Sequence, residues 1–292
     1  MHIASKFLIG SLTNNQFYAK PLTYTPLAGG NQLLFLASSQ NWIRTLDAKT
    51  GALINSRQVH TPFLQSDIGC TGIDTLRNAH VSMRLTVLDI PNTIGITGTP
   101  TIDPATDIVY FFSKTYIPNY RVAGNTGTSN GVYYFHAVNI NTLADVYPPV
   151  LIDGSVADND PAKYFVGGVI LQRPSLTQIG TVVYGAFGGH CDLFNYTGLI
   201  IGVDINAAKI VTQFAMESGP LAEQTNALLT NGAGGEAGIW MSGMGIASDG
   251  NRLFVVTGNG NVSLLIRVGV SLFSNICRLI KTKERRLPVP VP

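Results

Sequence analysis

Four apolar runs rich in β-branched and aromatic residues punctuate the chain: Leu33–Ala37, Val109–Ser113, Val182–Ala186 and Leu253–Thr257. Their middle residues, Phe35, Phe111, Tyr184 and Val255, stand 76, 73 and 71 positions apart. Continuous apolar runs of about five residues predict strands buried on both faces, and near-constant spacing predicts a repeated unit. Each run sits in the same local order. A strand precedes it, at 20–24, 98–102, 172–176 and 241–246. A tight turn joins the two, at Ala28–Asn31, Asp103–Asp107, Gln178–Gly180 and Ser248–Asn251, where Gly, Pro, Asn and Asp accept or pre-set the φ a hairpin needs. A third strand follows at 43–47, 133–139 and 199–204, ending in Asp47, Asn139 or Asp204 and running into a turn. A fourth closes the unit at 52–57, 146–152 and 210–214. Four antiparallel strands repeated radially make a β-propeller blade. The pattern therefore predicts an all-β partial propeller of about three and a half blades, the fourth unit stopping after its second strand.

The connections are lopsided. First-to-second and third-to-fourth turns take a few residues. Second-to-third connections are long at 114–131 and 187–198, and fourth-to-first connections are longer at 58–97, 153–171 and 215–239. In an up-and-down blade both long classes emerge at one end, and long loops on a rigid scaffold are where binding sites are built. That end is the expected functional face.

Composition sharpens this reading. Charged residues are 12% of the 292, and the 31 glycines together with Asn, Thr and Ser fill the difference, which suits short strands and tight turns rather than helical bundles. The net charge of +2 conceals a tail: residues 263–292 carry six Lys/Arg against Glu284, so the remainder is mildly acidic. Such a body has no electrostatic footprint for nucleic acid. Residues 16–260 read as the propeller domain. Residues 261–292 read as a non-propeller tail, either non-native or disordered. Its stretch 262–286 is a poor membrane anchor, because Arg267 and Arg278 each cost about 2.5 kcal/mol or more mid-span. An amphipathic surface helix is the other structured alternative. Residues 79–89 interrupt the first long connection and carry the same suspicion of being non-native. The N-terminus, Met1–Gly10, is a poor signal peptide because its apolar core is short.

The segment Thr45–Gly51 resembles the Leu-Asp-Ala-x-Thr-Gly turn of pyrroloquinoline-quinone-type repeats. The stretches Gly95–Pro100, Tyr184–Asp192 and Gly234–Trp240, leading to Thr257–Gly260, resemble secreted microbial and fungal-type members of the quinoprotein alcohol dehydrogenase-like superfamily. The resemblance covers roughly 16–260 and implies an incomplete member. It implies the propeller fold, an extracellular location and, for an enzyme of that family, pyrroloquinoline quinone with Ca²⁺ oxidising an alcohol or sugar. The residues themselves show no evident cofactor. The chain departs from the family in having neither the adjacent cysteine pair of the quinone dehydrogenases nor the Trp that ends such repeats, where it reads Ile54–Arg57.

Candidate chemistry gathers on the long connections. His190 and Asp192, with Glu236, are residue types for general-base work or metal binding, and equally for satisfying the amides of a long loop. Trp240 either stacks on a flat ligand or packs between blades. Tyr116, Tyr120 and Tyr196 are the aromatics a polysaccharide or cell-wall binder would expose. Cys70 and Cys191 can form a disulfide if their loops reach towards the axis. Asn195 starts an Asn-Tyr-Thr glycosylation sequon. The expected function is a binding module for an unidentified ligand or protein, without a catalytic constellation. The alternatives are a fragment of a quinone-dependent dehydrogenase and a polysaccharide-binding propeller.

Overall fold

The computed structural model describes residues 15–68, 90–190, 196–217 and 237–258. Unit 1 is a four-stranded antiparallel meander of β1 (Leu22–Tyr24), β2 (Leu33–Ala37), β3 (Trp42–Asp47) and β4 (Leu53–Gln58). Phe35 sits at its centre, paired with Leu22 on one side and Thr45 on the other. The short pair β5 (Phe63–Leu64) and β6 (Thr93–Ile94) then clamps the base of the first long connection. Residues 79–89, suspected of being an insertion, lie outside the described residues, as do 261–292.

Unit 2 repeats the order with β7 (Thr101–Asp103), β8 (Ile108–Tyr116), β9 (Gly131–Asn139) and β10 (Val150–Ile152). A hairpin of β11 (Val156–Ala157) and β12 (Asp160–Tyr164) follows. In unit 3 the first strand is split into β13 (Ile170–Gln172) and β14 (Thr177–Ile179), both paired with β15 (Val182–Gly189), and β16 (Leu199–Asp204) and β17 (Lys209–Ala215) complete the sheet. Unit 4 is a half-blade of β18 (Ala247–Ser248) and β19 (Leu253–Phe254). The four repeat-centre residues are all buried, Val255 lying just past the end of β19.

The acidic or amide residue closing each third strand has a local cause. Asp47 Oδ1 accepts from the N–H groups of Lys49 and Thr50 and from the Thr50 hydroxyl, at 2.7–3.0 Å. Asn139 Oδ1 accepts from the N–H groups of Asn141 and Thr142, and Asp204 Oδ1 from those of Asn206 and Ala207. One side chain thus satisfies two backbone donors in each turn.

Three apolar cores lie between successive units. Leu33, Phe35 and Ile43 meet Val109, Phe111 and Val138 between units 1 and 2. Phe112, Tyr133, Phe165 and Phe187 centre the second core, between units 2 and 3. Tyr184, Ile200, Ile239 and Val255 form the third. The hairpin β11–β12 lies along the outer strand of unit 3: Asp158 N–H donates to Gln213 O, Gln213 N–H to Asp158 Oδ2, and Ala215 N–H to Asn159 Oδ1, at 2.7–2.8 Å.

The segments entering the four first strands converge. Thr99 Oγ1 accepts from Lys20 N–H and donates to Gly243 O, both at 3.0 Å, and Thr99 O accepts from Leu176 N–H. Here the expected strand 241–246 is replaced. Met241, Ser242 and Gly243 all take positive φ (37°, 45° and 76°) in a 3₁₀ turn, and the strand begins only at Ala247. The turn aims Gly243 N–H at Arg173 O and its carbonyl at Thr99, so contacts between units override local extended preference.

Candidate functional site

The antiparallel order places the ends of β8, β10 and β15 and the starts of β9, β13 and β16 at one end of the blades, the end with the long connections. Among the described residues, a deeply buried ionisable pair stands there: Lys114, near the end of β8, and His190, just past β15. Lys114 is fully buried and His190 nearly so. Lys114 Nζ lies 3.0 Å from Gly168 O, 2.9 Å from Ile170 O and 2.8 Å from His190 Nε2, with the Phe63 ring centroid 4.2 Å away. Burial pushes both groups well below their ordinary values, and the Lys114 amine lowers the imidazole further. An ammonium donates to all three acceptors. A neutral amine donates to the two carbonyls and accepts from an imidazole Nε2–H. The Nζ–Nε2 contact and the two carbonyl contacts therefore survive the gain or loss of one proton. Lys114 belongs to unit 2 and its three anchors to unit 3 or the segment leading into it, so the pair fastens unit 2 to unit 3.

Above it the connection 117–130 is built around one side chain. Buried Asn130 accepts at Oδ1 from Arg121 and Val122 N–H (3.0 and 3.2 Å) and donates from Nδ2 to the carbonyls of Val122, Gly124 and Thr126, each at 3.1 Å. Asp67 holds the same connection from the side, accepting from Gly127 N–H at 2.9 Å and from the Tyr116 hydroxyl.

Between units 1 and 2 stands a second polar group. Ser113 Oγ is 2.8 Å from His136 Nε2, and His136 Nδ1 is 3.7 Å from Asp145 Oδ1. Arg57 pairs with Asp145, and His60 stacks on Tyr134 and tilts against His136, with centroids 4.8 and 5.1 Å apart. The residue types are those of a nucleophile–base–acid row. Ser113 and His136 are nevertheless sealed from solvent, and 3.7 Å exceeds hydrogen-bond reach. The group is an interblade fastener. Burial holds His136 below its usual value and His60 at about 4, neighbouring His136 adding to the latter. Both take up protons near 6.5 when unfolded and lower when folded, so their contribution is complete above about pH 6.5 and is lost as pH falls through the folded values, about 4 for His60. Thermal melts should show the midpoint falling between pH 7 and 5, with a shallower slope in His60→Phe; identical slopes in the two proteins contradict this assignment.

The sequence candidates are distributed as follows. His190 is buried against Lys114. Tyr196 is fully buried, its ring so close to Gly189 that a Cβ there would lie 2.2 Å from it. That ring cannot stack on a saccharide. Tyr116 is buried too, stacked on Phe63, which leaves Tyr120 as the exposed member of the three tyrosines. Trp240 packs between blades: Cβ atoms built on Gly188, Gly238 and Gly258 would fall 2.9–3.2 Å from its indole. Asp192, Glu236, Cys70, Cys191 and Asn195 lie outside the described residues. Lys114 and the Ser113–His136 pair escaped the sequence reading. Their signal was a Ser-Lys step and a His inside runs otherwise apolar enough to be buried on both faces.

A quinone with Ca²⁺ would need oxygen ligands brought together by the described residues. No group of three or more His, Cys, Asp or Glu stands together among them in ligand geometry. Where the four first strands converge, Thr99, Leu176 and Gly243 meet in direct hydrogen bonds, and a Cβ on Gly243 would make ordinary contact, 3.4 Å from Tyr18 O and 3.5 Å from Thr99 Oγ1. Among the described residues no helix is long and apolar enough to cross a membrane.

No protein-family model and no curated protein matches the chain. Among solved structures it is similar to a quinohemoprotein alcohol dehydrogenase from Pseudomonas putida HK5, at 10% identity and TM-score 0.34, covering 70% of this chain and 31% of that one. It is similar to a europium-containing methanol dehydrogenase at 12% identity and TM-score 0.35, covering 69% and 35%. It is also similar to BamB from Moraxella catarrhalis at 12% identity and TM-score 0.36, covering 81% and 55%. The chain thus spans between about a third and a little over half of the length of these proteins, and its own four-stranded antiparallel units make it a partial β-propeller.

Proposed function

We propose that the chain is a binding module whose ligand-facing surface is the long-connection end of its blades. The observation that carries this is the connection 117–130, which buried Asn130 fixes through five hydrogen bonds while residues 118–126 stay exposed. An exposed loop held in one conformation binds without first being ordered. The ionisable groups beneath it, Lys114 and His190, are used on each other and on backbone carbonyls, which supports binding over turnover.

Hydrogen–deuterium exchange against a panel of neutral oligosaccharides, acidic oligosaccharides and peptides tests the reading. Protection is expected at 114–131 and 153–169. Protection confined to the opposite end, at the Asp47, Asn139 and Asp204 turns, would overturn it. A dye-linked alcohol and sugar oxidation assay with added pyrroloquinoline quinone and Ca²⁺ should stay at background. Turnover that disappears in His190→Ala favours the dehydrogenase-fragment alternative.

A further inference from the structure

The exposed part of the fixed connection carries a composed surface. Tyr120 is 39% exposed and Val122 48%. The Arg121 guanidinium sits 4.9 Å from the Tyr120 ring centroid, against one face. Arg121 Nη2 is 2.6 Å from Asp153 Oδ2, and Asp153, directly after β10, has a fully buried side chain whose Oδ1 accepts from Gly167 N–H at 2.8 Å. The Arg121 guanidinium, itself anchored on Asp153, therefore holds one face of the ring. Arg121 also reaches Ser129 O at 3.4 Å, and with its side chain 26% exposed it keeps N–H donors for solvent.

We propose that Tyr120, Arg121 and Val122, seated on Asp153, form a subsite for a neutral saccharide. This rests on the binding-module reading and names its ligand class. A pyranose has an apolar C–H face, which suits an aromatic ring fixed in orientation, and a rim of hydroxyl acceptors, which suits spare guanidinium N–H groups. The charge balance selects neutrality. The Asp153 carboxylate already offsets the guanidinium, so an anionic ligand gains little net attraction, and the carboxylate is too buried to meet a cation. Immobilising Tyr120 beforehand removes the ordering cost a surface tyrosine otherwise bears on binding.

The test is affinity electrophoresis of the full chain in gels containing β-1,4-glucan, β-1,3-glucan or mannan, with polygalacturonate as the acidic comparison. At least one neutral polysaccharide should retard the chain more than polygalacturonate does. Tyr120→Ala should weaken that retardation about tenfold. Tyr120→Phe, which keeps the ring, should keep most of it, and Arg121→Gln should fall between the two. Unchanged thermal melts are expected of the two variants at exposed Tyr120, whereas Arg121→Gln, which strips the buried Asp153 carboxylate of its cation, should melt lower and is compared below its own midpoint. No retardation by any neutral polysaccharide, or equal retardation of wild type and Tyr120→Ala, overturns the proposal. Exchange protection of 114–131 by a peptide or an acidic ligand, without neutral-saccharide binding, sinks the subsite and leaves the binding module standing. Protection confined to the other end removes both.

Discussion

Lys114→Met should lower the unfolding free energy by about 3 kcal/mol, read from urea denaturation. Methionine keeps most of the stem volume and removes the amine alone. Gly168 O, Ile170 O and His190 Nε2 then lose their donor in a place water does not reach. A stripped buried acceptor costs about 1–3 kcal/mol each. Against this stands the relief of no longer burying an amine, which is why the expected loss is near the bottom of the summed range. Lys114→Ala should cost more, since it adds a cavity beside Phe63 and Tyr133 where the stem lay. A loss below about 1 kcal/mol for the methionine variant would mean that the carbonyls find other partners and that the fastener is not one.

Phe187→Ala should cost about 3–5 kcal/mol, the range for truncating a fully buried aromatic. The ring meets Phe112, Tyr133 and Phe165 edge-on, with centroids 5.0–5.4 Å apart. Those three rings belong to β8, to β9 and to the residue just after β12, so one truncation opens the joint between two units and the hairpin spanning them. With about 2–4 °C of midpoint per kcal/mol in a domain of this size, the melt should move by roughly 10 °C. Ile54→Ala, on the exposed outer strand of unit 1, is the control and should stay within about 0.5 kcal/mol. Equal effects at the two positions would remove the interblade core from its assigned role.

Strand existence was legible because one force, burial on both faces, writes the same apolar run into each repeat. Leu33–Ala37 and Leu199–Asp204 match their expected bounds to the residue. The turn after each third strand was legible because a single side chain, Asp47, Asn139 or Asp204, must supply its acceptor. What resisted reading depended on other units. Met241–Gly243 has the composition of a strand start, and only the carbonyl of Arg173 and the hydroxyl of Thr99 make it turn. Tyr196 looks like a surface aromatic in its loop, and only Gly189 opposite makes room to bury it. Lys114 looks like the solvated end of a strand until Gly168, Ile170 and His190 arrive from the next unit. The candidate site was therefore legible as a face, through loop lengths, and not as a set of partners.

The meeting of the four first strands at Thr99 also bears on how the chain is made. Each blade is a meander of neighbouring strands, so its own ladder can form soon after it leaves the ribosome. Thr99 is different: its acceptor, Gly243 O, lies 144 residues further along. At a synthesis rate of about 5–20 residues per second, roughly 7 to 30 s separate the emergence of the two. During that interval unit 1 stands finished in its own sheet, unit 2 joins it once Ile152 is made, and the surface meant for unit 4 stays uncovered. The nascent chain is then most dependent on chaperones after half of it is already folded, and a pause in translation between units 3 and 4 would lengthen the exposure rather than help the fold along.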